Sequence, residues 1–148
     1  MTEIQITNCH THTFTNHHVP LNRLYQFQQA GSGQSQQEIF EALLPYYPEG
    51  TRFVVLPMEM SEIGFGPVMK DITEQHNSLA ALADHPDNQG LVVPFATVYP
   101  GKPGSVDEMK RCIEDLGFRG LKLYPRLGYA PGRPDLMGQV YRYLEARN

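Results

Sequence analysis

The stretch Arg52-Phe53-Val54-Val55-Leu56-Pro57-Met58 decides the fold. It is short, almost continuously apolar and β-branched at its centre, so neither face of an extended strand here would suit water. A strand apolar on both faces belongs to a parallel sheet covered by helices. The run Leu91-Val92-Val93-Pro94-Phe95-Ala96-Thr97 has the same character. Residues 4–12 and 119–124 supply a first and a fourth strand.

Between these strands the periodicity changes to that of helices. Ser35-Gln-Gln-Glu38 in front of Ile39, Phe40, Leu43 and Leu44 is a capping-box signature opening an amphipathic helix. Pro67 suits the first turn of a second helix carrying Met69, Ile72, His76, Leu79 and Ala83 in line, which Pro86 forbids from continuing. Ser105-Val-Asp-Glu108 is a further capping box. It precedes Val106, Met109, Ile113 and Leu116, with Gly117 just past the helix end. Residues 134–147 form a fourth helix, with Leu136, Val140 and Leu144 on one face. Residues 13–34 are a long polar connection, unusual enough in length to suggest function.

Four strand–helix units in succession define an α/β fold, either a doubly wound open sheet or part of a (β/α)8 barrel. No Gly-x-Gly-x-x-Gly or Walker-type loop follows any strand, which removes the main reason to prefer a nucleotide-binding open sheet. The expectation is four βα units forming the N-terminal half of a (β/α)8 TIM-like barrel, since a typical barrel needs about 250 residues. In such barrels the chemistry sits at the C-terminal ends of the strands. The polar residues fall there: His10 and His12, Glu59, Thr97 and Tyr99, and Lys122 and Tyr124.

His10-Thr11-His12 is the pair with the clearest chemistry. Side chains two apart on a strand point the same way, roughly 7 Å apart along the backbone, and two imidazoles so placed can converge on one metal ion. The strand has one irregularity. If His10 and His12 share a face with Ile4, Ile6 and Asn8, then Gln5, Thr7 and Cys9 face the helices, which is too polar a set for burial. A bulge, or solvent exposure at the strand's start, would explain this.

Composition narrows the classes further. The 148 residues are 41% hydrophobic and 19% charged, an ordinary globular balance, with net charge −4. No basic stripe invites nucleic acid or an anionic membrane, and no apolar run approaches a bilayer span. Two distant cysteines and no secretory signal point to free thiols and a cytoplasmic location.

With this order of elements, the chain resembles the N-terminal half of a metal-dependent amidohydrolase. That superfamily uses distorted (β/α)8 barrels whose first strand ends in His-x-His, matched here by Asn8-Cys-His-Thr-His-Thr13. Gly117-Phe-Arg-Gly-Leu-Lys-Leu-Tyr-Pro125 is similar to a fourth-strand segment of several branches, in which the lysine aligned with Lys122 is carboxylated and bridges two metals. The resemblance implies a divalent metal ion, with zinc expected, and a small-molecule substrate. It also implies hydrolysis of an amide, ester or lactone, or non-oxidative decarboxylation of a small carboxylic acid. His10, His12 and Lys122 are then the metal-site candidates. The family's other ligands and general base lie on later strands, which places them beyond Asn148. A half barrel also leaves its first and fourth strands as edges, so a homo-oligomer or non-catalytic assembly module is the competing expectation.

The remaining candidates are weaker. Lys122 points away from Leu121 and Leu123, where the cost of a bare ammonium would be met by carboxylation on a metal, by an ion pair with Glu59 or by a pKa lowered through burial. Glu59, Tyr124, Arg126 and His17 are candidate substrate contacts, with Arg126 able to clamp a carboxylate bidentately. Loop histidines such as those of Asn16-His17-His18 are more often solvent-exposed. His76 and His85 read as structural, and Cys9 as packed on the helix side.

Overall fold

The computed structural model describes residues 5–23, 35–64 and 66–147. Four strands, β1 (Thr7–Thr11), β2 (Arg52–Val55), β3 (Val92–Thr97) and β4 (Gly120–Lys122), make one sheet in the order β1-β2-β3-β4. Every neighbouring pair is parallel. Helices α1 (Gln36–Leu43), α2 (Ile72–Asp84), α3 (Ser105–Glu114) and α4 (Pro134–Glu145) follow the strands in turn. No helix among the described residues is long and apolar enough to cross a membrane.

The helices lie on one face. Phe53 and Val55 of β2 and Val92 and Ala96 of β3 pack with Phe40 of α1, Leu79 and Leu82 of α2 and Cys112 of α3. A second cluster joins Met109 of α3 to Met137 and Val140 of α4, and Leu121 of β4 touches both clusters. A doubly wound sheet would reverse its strand order and carry helices on both faces. Sequential order with a single helical face gives instead half the strands of a (β/α)8 barrel, as expected.

A bulge sets the faces of β1. Thr7 pairs with Arg52 and Asn8 with Phe53, but the next partners are Thr11 and Val55, so β1 spends one residue more than β2. Asn8 therefore shares the helical face with Phe53, and its amide donates to the Tyr47 hydroxyl at 3.0 Å. Past the bulge, Thr11 takes that face beside Val55 and leaves His10 and His12 on the other. A one-residue slip exchanges the two faces of a strand, and this one removes the polar mismatch in the sequence. It also corrects the placement of Cys9, which is exposed rather than packed beneath a helix.

Two helix starts differ from the sequence reading. The second helix begins at Ile72, not near Pro67, because Asp71 and Glu74 form a complete capping box, and Met69 is left outside it and exposed. Ser105 does not cap α3. The N-cap is Gly104 in the left-handed conformation, φ 79°, without a side-chain cap, and Glu108 turns to other partners described below. The first capping box, Ser35 with Glu38, forms as read.

Gly120 leaves no room for a side chain against the neighbouring strand. A Cβ there would lie 2.5 Å from the Phe95 ring on the neighbouring strand. Overpacking of this kind costs about 1–3 kcal/mol. Gly120→Ala is expected to lower the urea unfolding midpoint accordingly, and adding Phe95→Leu to recover part of the loss. A midpoint unchanged by Gly120→Ala would refute the contact.

Candidate metal centre

His10 and His12 converge as the spacing requires. Their Nε2 atoms are 2.9 Å apart, with the rings edge to face at a centroid distance of 4.8 Å. The Nδ1 atom of His12 lies 2.5 Å from the Leu56 carbonyl oxygen. A carbonyl only accepts, so Nδ1 carries the proton and the His12 Nε2 lone pair is free to point at His10. Burial pulls the His12 pKa below the ordinary imidazole range. The Leu56 carbonyl opposes that fall, and the charges of Lys122 and His10 add to it.

These two residues fit a metal ion. Two imidazole nitrogens at about 2.0–2.1 Å from one tetrahedral ion stand about 3.3 Å apart, a few tenths of an ångström wider than here. A ligating histidine also characteristically donates its other ring N–H to a carbonyl or carboxylate, as His12 does to Leu56. Neutral imidazole is the ligating form, and burial favours it.

Lys122 shares this face, since Leu121 and Leu123 on either side of it pack into the helical clusters. Its Nζ lies 3.7 Å from the Met58 sulfur and 5.0 Å from the centroid of the Tyr124 ring, and burial lowers its pKa. Glu59, one of the partners open to it, is elsewhere. Glu59 is buried, accepts from the Ser61 hydroxyl at 2.5 Å, and forms its ion pair with Lys102 at 3.7 Å. Lys102 reaches it from the connection after β3, a pairing no local pattern announces.

The other candidates scatter. Arg126 is exposed in a 3-10 turn, Pro125–Leu127. His17 is half-buried in the 3-10 turn Asn16–His18. His18 is not solvent-exposed as expected but 2% exposed, its Nδ1 accepting from the Thr15 amide at 2.9 Å. Burial first, then the charges of Lys70 and His17, push its pKa down to about 4.

Comparison with protein families finds a match to the amidohydrolase family over residues 7–148. The chain belongs to the amidohydrolase family. No curated protein and no solved structure matches it. The matched span takes in His10, His12, Glu59 and Lys122, so in this amidohydrolase the converging histidines lie inside the family region. Metal binding is typical of the superfamily.

The amidohydrolase chain contains a second cluster of ligand-type atoms, which the sequence reading missed as a group. His76, Glu108 and Cys112 bring their donor atoms within 4.8 Å of one another between α2 and α3. All three are already engaged. His76 donates through Nδ1 to Glu108 at 2.7 Å and accepts the Thr97 amide at Nε2, 3.2 Å away. Arg111 clamps the same carboxylate with two hydrogen bonds of 2.8 Å. Burial and the Glu108 charge push the Cys112 thiol far up, so it remains protonated and a poor ligand. The cluster therefore pins α3 to α2 and to the end of β3.

The cluster makes stability depend on acid. Burial opposes the Glu108 charge, but the Arg111 and His76 hydrogen bonds prevail and hold its pKa at about 2, against 4.5 in an unperturbed chain. A depressed carboxyl stabilises the fold fully above its unfolded value, and that contribution is lost as pH falls from 4.5 towards 2. Glu108→Gln is expected to flatten the acid limb of a plot of urea midpoint against pH. Parallel limbs for variant and parent would contradict this.

Proposed function

We propose that the chain carries the first half of a metal-dependent hydrolase site, with His10 and His12 as ligands to one divalent ion, zinc being the expected metal. The observation that carries the reading is the approach of the two Nε2 atoms to 2.9 Å, with His12 held in the ligating tautomer. When bound, such an ion lowers the pKa of a water towards 7 and polarises the carbonyl of an amide, ester or lactone. The Leu56 carbonyl fixes the His12 ring plane, and His10 faces it from the bulged stretch between Asn8 and Thr11.

Lys122 is the charged group of this wall. A half-buried ammonium stacked on Tyr124 and shielded by Met58 is suited to holding an anionic oxygen of the substrate, or to carboxylation as a further ligand. Catalytic zinc sites ordinarily use three protein ligands. Such a site needs a third ligand and a general base besides these residues. Tyr124 beside Lys122, Arg126 in the turn after β4 and His17 in the turn after β1 are proposed substrate contacts. A second reading, decarboxylation of a small carboxylic acid, draws on the same Lys122 ammonium, which would orient the substrate carboxylate before the C–C bond breaks, the bonding electrons passing to the carbon left behind as neutral CO2 departs. Assaying zinc-loaded protein for carbonyl hydrolysis and for CO2 release separates the two.

Zinc affinity tests the ligand assignment. In competition with a chelating dye, His10→Ala and His12→Ala are each expected to weaken zinc binding by roughly tenfold or more, whereas His76→Gln leaves it unchanged. Loss of zinc with His76→Gln alone would move the metal to the helix-layer cluster and refute the proposal.

A further inference from the structure

Glu59 has half of its carboxylate unanswered. The side chain is 1% exposed, and Ser61 donates to one oxygen, Oε1. The other, Oε2, is buried and has no hydrogen-bond partner among the described residues. The Lys102 ammonium stands 3.7 Å from it, outside hydrogen-bond reach, and leans instead on Glu62 at 3.1 Å. A buried carboxylate oxygen left without a donor is unfavourable unless a ligand or water completes it.

Glu59 lines a crevice of about 100 Å³ between the β2–α2 and β3–α3 connections. Ile72 and Val98 form buried apolar walls, with Tyr99 and Pro103 beside them. Its charged lining is Glu59, Asp71 and Glu108 against the single cation Lys102. Asp71 is occupied in capping α2 and Glu108 in holding Arg111 and His76, so the acceptor left without a donor among the described residues is Glu59 Oε2. The volume matches about three waters, or a ligand end of three or four heavy atoms. A hard metal ion is a poor match, because calcium and magnesium need about six or more oxygen ligands.

We propose that this crevice binds the end of a small aliphatic ammonium ion, whose N–H groups complete the Glu59 carboxylate while its methylenes lie against Ile72 and Val98. Lys102 is then a built-in competitor, an ammonium of the same class poised just short of the acceptor. Glu59 follows Leu56 by three residues, so its backbone lies within about 11 Å of the peptide that orients His12. As a handle for an amine-bearing substrate, the crevice rests on the hydrolase reading. As a binding site it does not.

The test is a methyl NMR titration of the full chain, following Ile72 and Val98 with propylammonium chloride and with propan-1-ol at matched ionic strength. Saturable shifts are expected with the ammonium and not with the alcohol. Glu59→Gln should weaken that binding by roughly tenfold or more, and Lys102→Met, which removes the competitor, should tighten it by about threefold or more. Unfolding midpoints report whether each variant is folded, and Lys102→Met alone decides the matter if Glu59→Gln is not. Equal responses to both probes mean that the crevice reads only the alkyl chain, and no shift up to about 100 mM means that it holds only water; either overturns the proposal. The zinc competition reads a different site, so failure of either proposal leaves the other standing.

Discussion

The Leu56 peptide group is the joint on which fold and chemistry meet. Its N–H donates to the Thr11 carbonyl at 2.8 Å, carrying the β1–β2 ladder one step past β2. Its carbonyl accepts the His12 Nδ1 proton at 2.5 Å. One peptide plane thus closes the strand pairing and fixes which imidazole nitrogen keeps a lone pair. The next residue, Pro57, has no N–H, so β2 donates nothing to the ladder at that position.

The bulge makes that arrangement reachable. Without the extra residue in β1, either the histidines or the residues before them would lie on the wrong face. With it, Asn8 joins the helical side, its Oδ1 accepts the His10 amide at 2.9 Å, and the two imidazoles emerge together opposite the helices. Bulges recur beside active sites because they re-aim a side chain in this way. The strand ends beyond it carry separated charges. Lys122 stands beside Tyr124, while Glu59 and Lys102 pair with each other across two connections.

Much of this was legible in the sequence, for physical reasons that also mark the limit. Runs such as Phe53-Val54-Val55 are decided by burial on both faces, a constraint carried by the residues themselves. The alternation of Leu121 and Leu123 with Lys122 correctly placed the lysine away from the helices. What failed depended on distant partners. Ser35–Glu38, Asp71–Glu74 and Ser105–Glu108 carry one local signature, yet only the first two become caps. The third fails because His76 and Arg111, a neighbouring helix away and a turn away, hold the Glu108 carboxylate more strongly than a backbone amide would. Glu59 found Lys102 rather than Lys122 for the same reason: the pairing depends on how two connections pack.

The account depends on His12 carrying its proton on Nδ1 and presenting an unprotonated Nε2 to His10. A long-range 15N–1H correlation spectrum of the metal-free protein at neutral pH measures this directly. The predicted result is a His12 signal pattern with a protonated Nδ1 and a bare Nε2. A His12 protonated on Nε2, or on both nitrogens, would mean that the Leu56 carbonyl does not orient the ring, and would contradict the metal-centre assignment.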